Sequence, residues 1–202
     1  MNILTICSAL NNSYLGIKYN DKEIIETIKS DENYHSLYLI SKIKELLEKN
    51  NIELKDIDII GVNCGPGSFT GIRVALSIAK IIAGELNKPL VNLNTAEILL
   101  TAFNCDTLLM DARRDMYFVG TKEDIKLVYK DKIKEEIQNK NLLCDKRCFE
   151  SYPNSTCFEL EDKNLSSVML KLTEDKFKNS SNVEEFNYLN IQANYIQTPP
   201  VF

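Results

Sequence analysis

A single histidine, His35, stands in a chain of 202 residues, and that scarcity removes a class of chemistry. Catalytic metal centres need several converging imidazoles, thiolates or carboxylates. A His-x-x-x-His pair on one helix face is unavailable, because the fourth residue after His35 is Leu39. Excess positive charge is also missing. A net charge of −5 means that the surface repels phosphates on average, so a tight grip on RNA must come from another chain. No apolar run approaches the ~20 residues that span a bilayer, and the start, Met1 to Cys7, has neither a basic region nor a long apolar one. The expectation is a cytoplasmic protein with no membrane contact. Six cysteines (Cys7, Cys64, Cys105, Cys144, Cys148, Cys157) then read as reduced thiols. Cys144, Cys148 and Cys157 lie close in sequence but fall short of the four ligands of a structural zinc site.

What is present is an ordinary globular composition, 44% hydrophobic and 26% charged, which favours neither disorder nor a membrane class. Short β-rich runs at 2–7, 14–19 and 23–28, joined by Asn11-Asn12 and Asn20-Asp21, predict three antiparallel strands. From His35 to Lys49 the residues Leu37, Leu39, Ile40, Ile43, Leu46 and Leu47 recur with helical period. A strand at 57–62, a helix at about 68–86, a strand at 90–93 and a helix from Thr95 to about Phe103 follow. Leu108 to Ala112 and Met116 to Gly120 flank a polar turn and echo the first hairpin. Beyond residue 121 the chain is polar, with one clear amphipathic helix near Leu165, Val168, Met169 and Leu172.

The densest signal lies between the strand at 57–62 and the helix at 68–86. Three glycines (Gly65, Gly67, Gly71) and Pro66 permit a sharp reversal, and Ser68 and Thr70 offer oxygens to the first turn of the helix. A helix N-terminus behind a glycine turn favours anions. It is not a P-loop, since five residues separate Gly65 from Gly71 and Ile72-Arg73 follows in place of Lys-Ser/Thr. Two readings remain, a tight strand-to-helix connection and a weak anion site at Gly65, Gly67, Ser68, Thr70, Gly71 and Arg73. Ser68 is no hydrolase nucleophile, because Gly-Pro-Gly-Ser-Phe lacks the Gly-x-Ser-x-Gly elbow.

Taken whole, Gly65-Pro-Gly-Ser-Phe-Thr-Gly-Ile-Arg73 closely resembles the signature of the bacterial TsaB family, also called YeaZ. Ile3-Leu4-Thr5-Ile6, His35, Asp111-Ala112-Arg113 and Asn194-Tyr195-Ile196 support the match. The resemblance implies an α/β fold of two ribonuclease-H-like lobes, of the actin, sugar kinase and Hsp70 type, and the order βββαβαβα agrees with one such lobe. It implies residues 1–106 as the first, partner-binding lobe and 107–202 as a reduced second lobe. It implies a non-catalytic partner of the TsaD enzyme, required to make threonylcarbamoyladenosine at position 37 of transfer RNAs that read codons starting with A. The expected partners are TsaD in a heterodimer, the ATPase TsaE through that complex, a second copy when TsaD is absent, and tRNA indirectly. No cofactor is expected on this chain alone, ATP and Mg being used elsewhere in the pathway. The rival reading is a small ATP-dependent kinase or nucleotide-binding regulator of the same fold.

Two positions depart from the pattern. The superfamily's kinases and ATPases carry a metal-organising aspartate at the end of the first strand, where this chain has Cys7, a poor ligand for Mg²⁺. The glutamate expected three residues after Arg113 is Met116. Asp111, Arg113, Arg114 and Asp115 therefore read either as a salt-bridged hairpin or as a weakened carboxylate site. The apolar arc of the helix at 68–86 is about twice as wide as one buried face requires. It belongs either to a core helix or to a partner surface, and in this family the first-lobe helices pair with TsaD. The candidate partner-binding set is Leu37, Ile40, Phe69, Ile72, Val74, Ile78, Ile81 and Ile82, with Ala75, Ala79 and Ile82 forming the ridge on the chain's own sheet.

Overall fold

The computed structural model describes residues 1–29, 38–113, 115–137, 140–157 and 164–196, so His35, Leu37 and Arg114 lie outside the described residues. Period-two alternation decides the first sheet. In β1 (Ile3–Cys7), β2 (Ser13–Tyr19) and β4 (Ile59–Asn63), Leu4, Ile6, Leu15, Ile17, Ile60 and Val62 turn to one face and enter a common core. With β3 (Lys22–Ile28) and β5 (Leu90–Leu93) the order is β3-β2-β1-β4-β5. The β1/β2 and β2/β3 pairs are antiparallel, and β1/β4 and β4/β5 are parallel.

Two helices cover that core face. α1 (Leu39–Lys49) buries Leu39, Ile43, Leu46 and Leu47, and α2 (Phe69–Leu86) buries Ile72, Ala75, Leu76, Ile78, Ala79 and Ala83. Ser68 caps α2 by accepting from Gly71 N at 3.2 Å, and Asn87 closes it in the left-handed conformation, φ 50°. The other face receives α6 (Leu165–Asn179). A Cβ on Gly61 would run into Thr173 of α6, so the bare backbone sets how closely the helix lies. Lys18 of β2 bonds Glu174 of α6 at 2.7 Å.

A second sheet repeats the first. β6 (Thr107–Arg113), β7 (Met116–Gly120), β8 (Ile125–Tyr129), β9 (Leu142–Cys144) and β10 (Thr156–Cys157) are arranged β8-β7-β6-β9-β10, with the same alternation of antiparallel and parallel pairs. The second sheet keeps the strand order, with shorter parallel strands, and its crossover helices are much reduced. α4 (Ile133–Ile137) and α5 (Lys146–Phe149) have five and four residues where α1 and α2 have 11 and 18. They still close a small core of Leu109, Val119, Val128, Ile133, Leu142, Cys144 and Cys148.

The linear division at 106/107 does not describe the chain. One compact unit is residues 1–95 with 166–194, the other is 96–165 with 195–202. The cause is the helix that follows the last strand of each sheet. α3 (Thr95–Phe103) follows β5 but groups with the second unit from Ala96 on, whereas α6 follows β10 and packs on the first sheet.

Candidate functional site

The signature loop is built around Asn63, the last residue of β4, which is fully buried. Its amide donates to Cys7 Sγ at 3.3 Å and to Thr95 Oγ1 at 3.2 Å, while its Oδ1 accepts from Gly65 N at 2.9 Å. Thr95 Oγ1 donates to the Pro66 carbonyl at 2.6 Å, and Thr95 N to the Gly65 carbonyl at 2.9 Å. Further along, Ser68 N donates to the Ala9 carbonyl at 2.7 Å. A Cβ on Gly67 or Gly71 would run into the carbonyl of Ala9 or Ser8, so the loop lies directly on the backbone that follows β1. Asn194 N reaches the Cys64 carbonyl at 2.8 Å, which accounts for the C-terminal part of the motif.

This wiring bears on both readings of the loop. The amides of Gly65, Ser68 and Gly71 are bonded within the chain, and the space beyond β1 is filled by the chain's own backbone. The geometry is that of a strand-to-helix connector. Thr70 and Arg73 point outward, and the Arg73 guanidinium lies 3.8 Å from the centre of the Phe69 ring. At the end of β1, Cys7 is buried, and that burial raises its pKa despite hydrogen bonds from Ala9, Asn63 and Leu10. A buried neutral thiol fits neither Mg²⁺ nor a triphosphate. Among the described residues no three His, Cys, Asp or Glu side chains converge as a metal site.

The Asp111 cluster is a capped, ion-paired corner. Arg147 donates to Asp111 at 3.0 Å, and Asp145 accepts from Asp111 N and from Cys148 N, each at 2.9 Å, capping α5. Arg147 belongs to α5, outside the β6–β7 hairpin. Asp115 takes φ 56° in the turn to β7, which has Met116 as its first residue.

An apolar groove opens between α1 and α2 of the first unit. Ile40, Ile43 and Leu47 of α1, Ile52 and Leu54 beyond it, and Ile78, Ile81 and Ile82 of α2 line a groove of about 400 Å³. Lys44 and Glu48, paired at 3.6 Å, complete it. Ile40 is 66% exposed and Ile81 65%, and Tyr38, just before α1, and Phe69, the first residue of α2, are exposed as well. Of the residues expected to face a partner, Ile40, Ile78, Ile81 and Ile82 come together here. Two of the expected residues are less exposed than a partner surface requires. Ile72 is 1% exposed and sits under Gly65 in the core. Ile78 is 8% exposed and belongs to the groove's floor, because it lies on the flank of α2 that packs toward α1. The outward row is instead Arg73, Ser77 and Ile81, spaced one turn apart. Val74 and Ile82 are half-buried against the core. Sequence reasoning missed Ile43, Leu47, Ile52 and Leu54 as lining residues, since an apolar pattern does not report where two neighbouring helices leave a groove between them.

Comparisons with known proteins sharpen the picture. The sequence model of the family described as "TsaD: tRNA N6-adenosine threonylcarbamoyltransferase" matches residues 24–180. A "tRNA threonylcarbamoyladenosine biosynthesis protein TsaB" of Buchnera aphidicola subsp. Baizongia pistaciae is 38% identical over 48% of this chain, and the match spans 41% of that protein's length. A protein of the same description from Buchnera aphidicola subsp. Acyrthosiphon pisum is 26% identical over 98% of this chain and 83% of its own. Among solved structures, YeaZ from Pseudomonas aeruginosa superposes with a TM-score of 0.77 over 96% of this chain and all of that one, at 13% identity, which speaks for the fold. No helix among the described residues is long and apolar enough to cross a membrane.

Proposed function

Because this chain belongs to the TsaB (YeaZ) family, within the wider threonylcarbamoyltransferase group, we propose that it is the non-catalytic accessory subunit of a tRNA threonylcarbamoyladenosine-forming complex and that it holds a TsaD-type transferase through the α1–α2 groove. The observation that carries this is the groove itself: a contiguous apolar surface in which Ile40 and Ile81 are about two-thirds exposed. Lone exposed apolar side chains are common, but a lined groove between two helices is a surface that gains by being covered. The buried Cys7 thiol and the internally bonded loop support a subunit that leaves chemistry to its partner. ATP and Mg²⁺ are then used elsewhere in the pathway. The net charge of −5 supports a tRNA contact made mainly by the other subunits, with a TsaE-type ATPase joining through the assembled pair. In the absence of the transferase, the same apolar surface is free to pair with a second copy.

The test is reconstitution with the transferase of the same organism. Wild-type chain and transferase co-elute and restore modification of tRNA that reads codons starting with A, whereas Ile81→Glu weakens binding at least ~30-fold, the scale of a lost interface anchor. Full binding and modification with Ile81→Glu and Ile40→Glu combined sinks this reading.

A further inference from the structure

The second sheet carries a pair of thiols that the accessory role does not use. Cys144 of β9 and Cys157 of β10 are register partners on adjacent parallel strands. Such partners project to the same face, and a strand spacing of ~4.8 Å falls within the Cα separation of ~4.4–6.8 Å that a disulfide bridges. Among the described residues β10 is two residues long and forms the edge of its sheet, so the small movement that brings two sulfurs together disturbs few ladder bonds there. The two differ in access: Cys144 is buried and Cys157 is half-buried. Ser155 donates its hydroxyl to the Tyr152 carbonyl, which leaves its oxygen to accept from the Cys144 thiol at 2.8 Å. The hydroxyl therefore aims the Cys144 sulfur and gives its proton a way toward half-buried surface.

We propose that Cys144 and Cys157 are a redox-responsive pair that closes into a cross-strand disulfide by exchange with a small oxidised disulfide such as oxidised glutathione. The Cys157 thiolate attacks one sulfur of glutathione disulfide, forming a mixed disulfide and expelling one glutathione thiolate. Cys144 loses its proton by way of Ser155 to water and attacks the Cys157 sulfur, expelling the second. Two protein thiols and one small disulfide thus become one protein disulfide and two small thiols, and a dithiol reverses the exchange. Closure ties down the segment 145–156, which holds α5 and the Ser151–Ser155 wall of a cavity of about 280 Å³. Burial raises the pKa of Cys144, so the pair responds slowly at neutral pH and faster as pH rises.

The experiment exposes the folded full chain to oxidised glutathione at pH 8, blocks remaining thiols by alkylation, and maps peptides by mass spectrometry. The expected product is a Cys144–Cys157 linkage, a melting temperature raised by about 5 °C or more, and recovery of both thiols on adding dithiothreitol. Cys157→Ser, at the half-buried position, abolishes the linkage and the shift, and Cys148→Ser retains both. Glutathione that stays on Cys157, a Cys144–Cys148 linkage, or unreacted thiols at both positions would each overturn the proposal.

Discussion

The two sheets share one strand order and one pattern of pairing, yet they are clothed very differently. Between β4 and β5 the chain spends residues 64–89 on the signature loop and an 18-residue helix, and between β9 and β10 only residues 145–155, with a helix of four. A parallel pair needs a crossover but does not prescribe its length. The topology survives because β6, like β1, is a buried central strand with an antiparallel neighbour on one side and a parallel one on the other. What the short crossover removes is surface. The long helices of the first unit leave an apolar groove between them, while the short ones of the second cover only a small core.

The sharpest way to break the comparison is at its glycines. In the first unit a methyl group on Gly71 meets the Ser8 carbonyl, which cannot move without lifting the loop. Gly71→Ala is expected to cost ~3 kcal/mol or more and to fail in part to fold, as read from urea denaturation. In the second unit the same addition on Gly120 meets Cγ1 of Ile125 at 2.7 Å, a side chain able to turn, and the Asp124 carbonyl only at 3.0 Å. Gly120→Ala is expected to cost ~1–2 kcal/mol, and equal losses at both positions would contradict the view that the first unit is the more tightly keyed.

Next comes the division within α2. Ile78→Glu places a charge against buried neighbours and should lower stability by ~3 kcal/mol, visible in a thermal melt of the chain alone. Ile81→Glu should leave the melt within ~0.5 kcal/mol, since that residue is 65% exposed. Matching melts for the two would erase the distinction between floor and rim.

The exchanged helix α6 supplies a smaller, pH-dependent effect. Lys178 and Lys18 hold the Glu174 carboxyl down to about 2, against ~4.3 for an ordinary glutamate. The folded pKa is the lower one, so the contribution is present above ~4.3 and is lost as pH falls from there toward 2. Screening of this partly exposed pair limits it to ~1 kcal/mol, and Glu174→Gln should reduce the pH dependence of unfolding in that window by that amount. Smallest of all, Arg147 is 69% exposed opposite Asp111, and Arg147→Ala should change stability by less than ~0.5 kcal/mol. A larger loss would mean that this corner matters more than its counterpart in the first unit.

Legibility in the sequence followed the length of the periodic signal. Alternation in β1 to β3 and helical period in α1, α2 and α3 were readable, with ends within two residues of those observed wherever the chain is described. β8, β9 and β10 were not read at all. Leu142–Cys144 and Thr156–Cys157 are too short to show a period, and their partners are distant in sequence. α4 and α5 are shorter than any pattern that separates a helix from a turn. Of the candidate site, Gly65 to Arg73 was visible as a string, but Asn63 and Thr95, which hold the loop, carried no local signal because their partners meet only on folding.

By itself the sequence determined the family, the strand and helix content of the first half, and the excess of apolar surface on α2, because each is written in residues close along the chain. Only the tertiary structure decided which side of α2 that surface occupies, which sheet receives α6, and that Cys144 and Cys157 stand side by side. Those outcomes depend on the packing of α1 beside α2, on the bare backbone of Gly61 beneath Thr173, and on the pairing of two short strands, none of which is a property of any local stretch of residues.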